Sequence, residues 1–431
     1  MTIEKLYQLF LNCDAVNTDS RAVQKNELFV ALKGRNFNGN KYAEAALQNG
    51  AKYALIDEEA YFKNETQYIL VSDGLETLQQ LAAHHRRQFN IPVIGLTGSN
   101  GKTTTKELIN AVLSIKYNTL ATKGNLNNQI GVPLTLLNIN KLTEIAIVEM
   151  GANYVGEIAE LCEITQPNYG LITTIAKAHL EGFGSLEGVR KTKLGLFDYL
   201  KNNNGFAFVN ADQQEILDGA EQFDFDKKTT YGQSPFVDFL GIPINGTPFA
   251  ALQYENETLK SQLFGNYNYI NMMAAIAVGS KFYVRANDIK KALANYQPQN
   301  KRSQIIKKAN NTIVLDAYNA NPSSMQAAIE AFVNGYPNQQ KILIAGDMFE
   351  LGKYEAEEHQ NIIDLATSLN INKCFFVGSA FGATTATQSN HSFFKDAEAL
   401  STHLTKNKIE NACILIKGSR GMQLEQLINL I

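Results

Sequence analysis

The stretch Thr97-Gly98-Ser99-Asn100-Gly101-Lys102-Thr103-Thr104-Thr105-Lys106-Glu107 decides the fold, because its glycines join an apolar run to a helical one. Residues 91–96 are short, mostly apolar and bounded by Pro92 and glycines, as a buried strand should be. Residues 106–115 carry helical periodicity. Such a strand, glycine turn and helix aim backbone N–H groups at an anion. Lys102 would then reach the outer phosphates, and the Thr103 hydroxyl would ligate magnesium. The spacing departs from the common phosphate-loop pattern, since the first glycine comes at Gly98. A glycine turn alone reads equally as an ordinary strand-to-helix connection, and the Lys-Thr pair at the helix start shifts the reading toward phosphate. Thr97, Gly98, Ser99, Asn100, Gly101, Lys102, Thr103 and Thr104 are the candidate nucleotide contacts.

A chain of 431 residues is too long for one compact core and suits two or three domains. Its 39 basic and 42 acidic side chains nearly cancel and no segment concentrates the basic ones, which argues against nucleic acid as a partner. Residues 1–10 lack the apolar core of a signal peptide, and no later apolar run approaches membrane-spanning length. A cytoplasmic monomer without a membrane partner is the expectation. Cys13, Cys162, Cys374 and Cys413 are scattered without metal-type spacing and read as buried free thiols.

Residues 1–88 hold short strand-like runs at 28–31 and 53–56 around a helical 42–48, a small α/β domain. It ends at the polar, basic helix end His84-His85-Arg86-Arg87. From residue 89, apolar strands at 145–149, 169–174 and 205–209 alternate with helices at 155–163 and 186–200, the signature of a parallel sheet covered by helices. Helices at 268–282 and 287–296 close this central domain near residue 298. The polar run Gln297-Pro298-Gln299-Asn300-Lys301 reads as a linker and hinge. Alternation restarts at 312–316, 341–346, 373–377 and 412–417, predicting a Rossmann-like third domain over 299–431.

Several side chains gather at predicted strand ends, where parallel-sheet sites open. Glu149 ends an apolar strand and is a candidate metal ligand; a carboxylate capping the next turn is the competing reading. His179 follows the 169–174 strand and could ligate through a neutral nitrogen or serve the structure alone. Asn125, Asn127 and Asn128 offer donors and acceptors to a polar ligand, or form an Asn-rich turn. Asn271 could read an adenine edge or simply sit at a helix start. In Asp316-Ala317-Tyr318-Asn319-Ala320-Asn321-Pro322 a strand gives way to a helix with Pro322 in its first turn. Arg302 and Asp316 could reach a nucleotide across a cleft, or be a surface arginine and a helix cap. Lys193, among Arg190, Lys191 and Lys201, reads from its surroundings as part of a solvated basic face.

Together these motifs resemble the Mur ligases of peptidoglycan synthesis, from Asp19-Ser20-Arg21 to Lys417-Gly418-Ser419-Arg420. They include residues 97–107, 125–133, 149–152, 179–184 and 316–322 and the run Gly346-Asp347-Met348-Phe349-Glu350-Leu351-Gly352. The Tyr-Asn-Ala-Asn-Pro form, and residues 28–34 after Ser20-Arg21, point to the branch that adds D-alanyl-D-alanine. The resemblance implies ATP-dependent joining of that dipeptide to UDP-N-acetylmuramoyl-tripeptide through an acyl phosphate. It implies catalytic roles for Lys102, Glu149, His179 and Lys193, and a magnesium set of Thr103, Glu149, His179 and Lys193, the last as a carbamate formed from CO2. Ser20 and Arg21 would contact the UDP end, and Asn125, Asn127, Asn128, Asn319 and Asn321 the rest of the substrates. Gly195, Tyr267, Asn38 and Asn40 stand where the family usually carries Glu, His, Asp and His. A sister ligase adding one amino acid or a folate glutamate is the alternative. A P-loop switch is a more distant one, since no Asn-Lys-x-Asp guanine signature is present.

Overall fold

The computed structural model describes residues 1–298, 303–385 and 388–431. At its centre seven strands lie in the order Phe239–Leu240, Lys228–Gly232, Phe206–Asn210, Tyr169–Ile172, Val93–Thr97, Ile145–Glu149, Thr119–Ala121. Every neighbouring pair is parallel. From Val93–Thr97 the chain passes to the edge at Thr119–Ala121, returns to Ile145–Glu149, and then crosses to Tyr169–Ile172 on the other flank. Val93–Thr97 is therefore the point where strand order reverses, and a crevice opens beyond its carboxyl end. All five residues of this strand and all five of Ile145–Glu149 are buried, as expected where helices cover both faces.

Two more sheets flank this one. The amino-terminal sheet is parallel, in the order Val16–Asn17, Leu28–Val30, Tyr53–Ile56, Tyr68–Leu70. The carboxyl-terminal sheet runs Gln304–Lys308, Asn311–Asp316, Ala412–Lys417, Gln340–Gly346, Lys373–Val377, His391–Phe394, with only the first pair antiparallel. An antiparallel set, Ile242–Pro243, Phe249–Tyr254 and Glu257–Phe264, lies between them in sequence. The fold is thus the expected α/β architecture with a P-loop sheet at its centre and a Rossmann-like sheet after it.

Two differences from the sequence reading have simple causes. The phosphate-loop helix spans Lys102–Leu113, starting four residues ahead of the apolar periodicity, because its first turn faces the crevice and is polar. Strands Tyr68–Leu70, Thr119–Ala121, Gln304–Lys308 and His391–Phe394 escaped notice because all four are sheet edges, short and partly exposed.

One apolar core runs unbroken from Leu6, Phe10 and Leu28 through Leu78 and Leu81 to Val148, Ile158, Phe197 and Phe225. Helix Gly74–Arg87 is the wall shared by the first two sheets. Its basic end, which reads in sequence as a polar boundary, is in fact part of the junction. His85 and Arg86 are buried. The Nε2–H of His85 donates to Ile139 O at 2.8 Å, so Nδ1 accepts from the Tyr7 hydroxyl at 3.1 Å, and burial lowers the imidazole pKa. Arg86 donates to Phe89 O at 2.7 Å and to Ile91 O and Gln166 O, both at 3.4 Å. Three cysteines are buried and Cys13 is half-buried, all as free thiols. Among the described residues no helix is long and apolar enough to cross a membrane.

Candidate active site

The crevice beyond Val93–Thr97 is a cleft of about 480 Å³ with walls from the central and the carboxyl-terminal sheets. Gly98 enters the loop at φ 149°, and a side chain there would overlap Thr173 Oγ1. Gly101 caps the helix at φ 79°, with Asn271 Oδ1 only 2.7 Å from where a Cβ would stand. Only glycine meets both demands, left-handed backbone and close approach. The loop is braced from Thr174, whose carbonyl accepts from Ser99 N at 2.8 Å and whose hydroxyl accepts from Asn100 N at 2.8 Å. Lys102 Nζ folds back to Gly98 O at 2.5 Å and Ser99 O at 3.2 Å.

Thr103 Oγ1 donates to Glu149 Oε1 at 3.1 Å, and Asn127 Nδ2 donates to the same oxygen at 2.7 Å. Glu149 is buried, and its Oε2 has no hydrogen-bond partner. A desolvated carboxylate oxygen left without a donor is costly unless a cation offsets its charge, and the Lys106 ammonium stands 4.0 Å from it. Asn127 also closes the turn onto Gly151, whose N–H donates to Asn127 O at 2.7 Å. Asn128 Oδ1 instead accepts from Ile130 N and Gly131 N, at 3.1 and 2.9 Å, and so starts the short helix Gly131–Leu136.

His179 sits in left-handed backbone at φ 50° and lines the cleft. Its Nδ1 forms an ion-pair contact with Glu350 Oε2 of the carboxyl-terminal part, and the imidazole beside it lowers the Glu350 pKa. Lys193 is buried rather than on a solvated face, while its neighbour Lys191 is exposed. Burial first, and the charge of Lys102 second, push the Lys193 pKa well below its ordinary value, with Glu157 opposing them. Its Nζ lies 5.4 Å from the centre of the Phe183 ring. Gly195, in the same helix, lies against the helix Glu157–Thr165, where a Cβ would meet Ala159 N at 3.5 Å.

Asn271, Asp316, Asn319 and Asn321 line the cleft with Asn125, Asn127 and Asn128. Asn271 Oδ1 accepts from Thr105 Oγ1 at 3.0 Å and its Nδ2 donates to Asn268 Oδ1 at 2.8 Å, so its amide holds the loop helix. Asp316 Oδ2 accepts from Lys417 Nζ at 2.6 Å and Oδ1 from Ser303 N at 3.2 Å. The Tyr267 hydroxyl is 3.3 Å from Ser303 Oγ, and burial together with the Asp316 charge raises its pKa. Asn321 caps the helix Pro322–Gly335. Thr97 does not line the cleft; it is a buried strand residue whose carbonyl accepts from Thr173 N at 2.9 Å. Arg302, with Gln299, Asn300 and Lys301 of the expected hinge, lies outside the described residues.

Ser20 and Arg21 line a separate hollow of about 460 Å³ in the amino-terminal part, beside the stacked Phe37 and Tyr42 rings. Arg21 pairs with Asp19 through two hydrogen bonds of 2.9 and 2.8 Å. Asn38 and Asn40 are tied to the acidic pair beyond Tyr53–Ile56: Asn38 Nδ2 donates to Glu58 at 3.0 Å and Asn40 Nδ2 to Asp57 at 2.7 Å.

Sequence reasoning passed over Lys106. It is fully buried, with Nζ 2.5 Å from Thr122 O, 2.8 Å from Glu107 Oε1 and 4.0 Å from Glu149 Oε2. It lashes the loop that carries Asn125 and Asn127 to the phosphate-loop helix. The signal was available: a lysine three residues after Thr103 on one helix shares its face. Among the described residues no group of three or more His, Cys, Asp or Glu side chains is gathered for a metal.

Family models match in three consecutive pieces: the Mur ligase family catalytic domain over 12–86, the Mur ligase middle domain over 96–279, and the Mur ligase glutamate ligase domain over 301–420. A Bacillus subtilis relative, UDP-N-acetylmuramoyl-tripeptide–D-alanyl-D-alanine ligase, is 36% identical over 96% of this chain and 92% of its own length. The chain belongs to the Mur ligase family. The Escherichia coli ligase of the same name is also 36% identical to this Mur ligase, over 98% of this chain and 94% of its own. Among solved structures, MurF from Acinetobacter baumannii superposes with a TM-score of 0.89 at 30% identity, covering 99% of this chain and 98% of that one. MurF ligase from Thermotoga maritima, in complex with ADP, gives 0.84 at 26% identity over 98% and 97%.

Proposed function

We propose that this Mur ligase joins D-alanyl-D-alanine to UDP-N-acetylmuramoyl-tripeptide, consuming ATP and releasing ADP and phosphate. The observation that carries this reading is the cleft itself. It sets a phosphate loop, a buried carboxylate with one oxygen that accepts no hydrogen bond and an imidazole opposite the Asp316 to Asn321 strand end of another sheet. Full-length similarity to relatives bearing that activity supports the choice of substrates.

A carboxylate resists attack by an amine because oxide is a hopeless leaving group. Transfer of the γ-phosphoryl group to the tripeptide's terminal carboxylate gives an acyl phosphate, and the dipeptide's amine then displaces phosphate. In the first step two anions must approach, so Lys102 and the loop N–H groups neutralise charge as it develops. Magnesium held by Thr103, Glu149, His179 and Lys193 as a carbamate would draw charge from the phosphates. Burial, which pushes the Lys193 pKa well below its ordinary value, favours CO2 capture, because that step needs a free lone pair. Asn271, Arg302 and Asp316 hold the nucleotide; Asn125, Asn127, Asn128, Asn319 and Asn321 hold the reacting ends.

In this reading residues 1–88 hold the UDP end, with Ser20 and Arg21 in the separate hollow. Residues 89–298 bind ATP, and residues 299–431 close over it to exclude water from the acyl phosphate. The enzyme is placed in the cytoplasm, where ATP is available, as a monomer.

The test is phosphate release from ATP and magnesium, with the tripeptide carrying lysine or diaminopimelate, in the presence and absence of D-alanyl-D-alanine. Release that needs both substrates, with the pentapeptide identified by mass, is expected. Release with a single amino acid in place of the dipeptide would favour a sister ligase.

A further inference from the structure

Glu350 lies in the run Gly346-Asp347-Met348-Phe349-Glu350-Leu351-Gly352 of the carboxyl-terminal part. The strand Gln340–Gly346 delivers this run, and three bonds hold it. Asp347 accepts from Ala380 N and Phe381 N, both at 3.0 Å, and Met348 N donates to His359 Nε2 at 3.0 Å. Glu350 itself adopts φ 63°, a left-handed conformation rare for a side chain of its size. Its carbonyl accepts from Glu181 N at 3.1 Å, and Gly352 packs against Glu181. The backbone pairing thus brings the Glu350 carboxylate of the carboxyl-terminal part onto His179 Nδ1. Nearby, Lys177 Nζ pairs with the buried Glu358 at 2.7 Å, a second tie across the same seam.

A carboxylate can bond an imidazole nitrogen only if that nitrogen carries the proton. A neutral ring then has its lone pair on the other nitrogen, where a metal binds. Metal-ligating histidines almost always donate their second N–H to such a partner, which fixes both tautomer and ring orientation. We propose that Glu350 is a positioning residue that holds His179 as the Nδ1–H tautomer with Nε2 presented to the cleft. The metal set of the central part is then complete only when the carboxyl-terminal part is docked. The proposal rests on the reading of His179 as a metal ligand.

The test uses the full chain labelled with 15N-histidine, which has six histidines. His179→Asn assigns the resonance. The wild type is expected to show the Nδ1–H tautomer at His179 without any metal. Glu350→Ala is expected to lose it, and Glu350→Gln to keep it, because the amide oxygen still accepts. Binding of Mn2+, followed by electron paramagnetic resonance with ADP present, is expected to weaken about 10–100-fold in Glu350→Ala. An unchanged tautomer and Mn2+ affinity in Glu350→Ala, beside weakened binding in His179→Asn, would overturn the role of Glu350 alone. Wild-type Mn2+ affinity in His179→Asn would overturn the ligand reading and the proposal with it.

Discussion

Asn100 at the tip of the phosphate loop and Asn321 at the cap of the helix Pro322–Gly335 share a hydrogen bond of 2.8 Å, from Asn321 Nδ2 to Asn100 Oδ1. Asn100 Nδ2 donates in turn to Ser323 Oγ at 2.8 Å. The loop that would hold the nucleotide is therefore clasped directly by the opposing sheet's first helix. Asn100→Ala is expected to lower kcat/KM for ATP about tenfold, the worth of one to two hydrogen bonds of about 1 kcal/mol each. Asn321→Ala should do likewise and also lose about 1 kcal/mol of stability with its cap. In a double-mutant cycle on kcat/KM the two losses should fall short of adding. Full additivity would mean the clasp plays no part in turnover.

Lys102→Ala is expected to reduce kcat by at least a hundredfold while leaving the melting temperature close to that of the wild type. Its ammonium faces charge that develops only in the transition state, and in the resting loop it bonds two backbone carbonyls of its own turn, Gly98 O and Ser99 O. Steady-state rates and calorimetry on one preparation check both halves.

Gly98→Ala should abolish ATP binding and cost at least 1–2 kcal/mol of stability, because strain and a clash with Thr173 act together. Gly124→Ala is the contrast, since open space surrounds its missing Cβ, though its φ of 56° carries a smaller penalty. Denaturant unfolding and ATP titration separate the two.

Lys193 gives a pH prediction. Burial depresses the folded-state pKa of this amine well below its ordinary value of 10.5, so between that lowered pKa and 10.5 the unfolded chain binds a proton the folded chain lacks. Stability of CO2-stripped protein therefore rises with pH toward 10.5. Lys193→Met should be more stable than that protein at neutral pH, the gain fading as pH approaches 10.5. Restoring bicarbonate should raise wild-type activity and leave Lys193→Met inactive. An equal gain at every pH would show that Lys193 keeps an ordinary pKa.

Legibility in the sequence followed a physical division. Val93–Thr97, Ile145–Glu149 and the strand ends after them were readable because strands buried on both faces must be apolar throughout, and a lone Glu149 at such an end stands out. Lys193 was not readable from its surroundings, because charge on a helix says nothing of which face is turned inward; only a family resemblance singled it out. His85 and Arg86 misled for the same reason, their polar groups being satisfied by carbonyls from distant segments. The bond between Glu350 and His179 joins residues 171 positions apart and leaves no local trace.

The shared core that reaches from Leu6 to Phe225 also constrains how the chain is made. The first 88 residues leave the ribosome long before the helices that cover Leu78 and Leu81, so the amino-terminal sheet stays half-finished until the central one arrives. Residues 303–431 keep separate cores on the two faces of their own sheet, apart from Phe264, and can settle afterwards. The newborn enzyme would thus assemble in two cooperative stages, and a ribosome stalled near residue 100 would display an unfinished, sticky surface to chaperones.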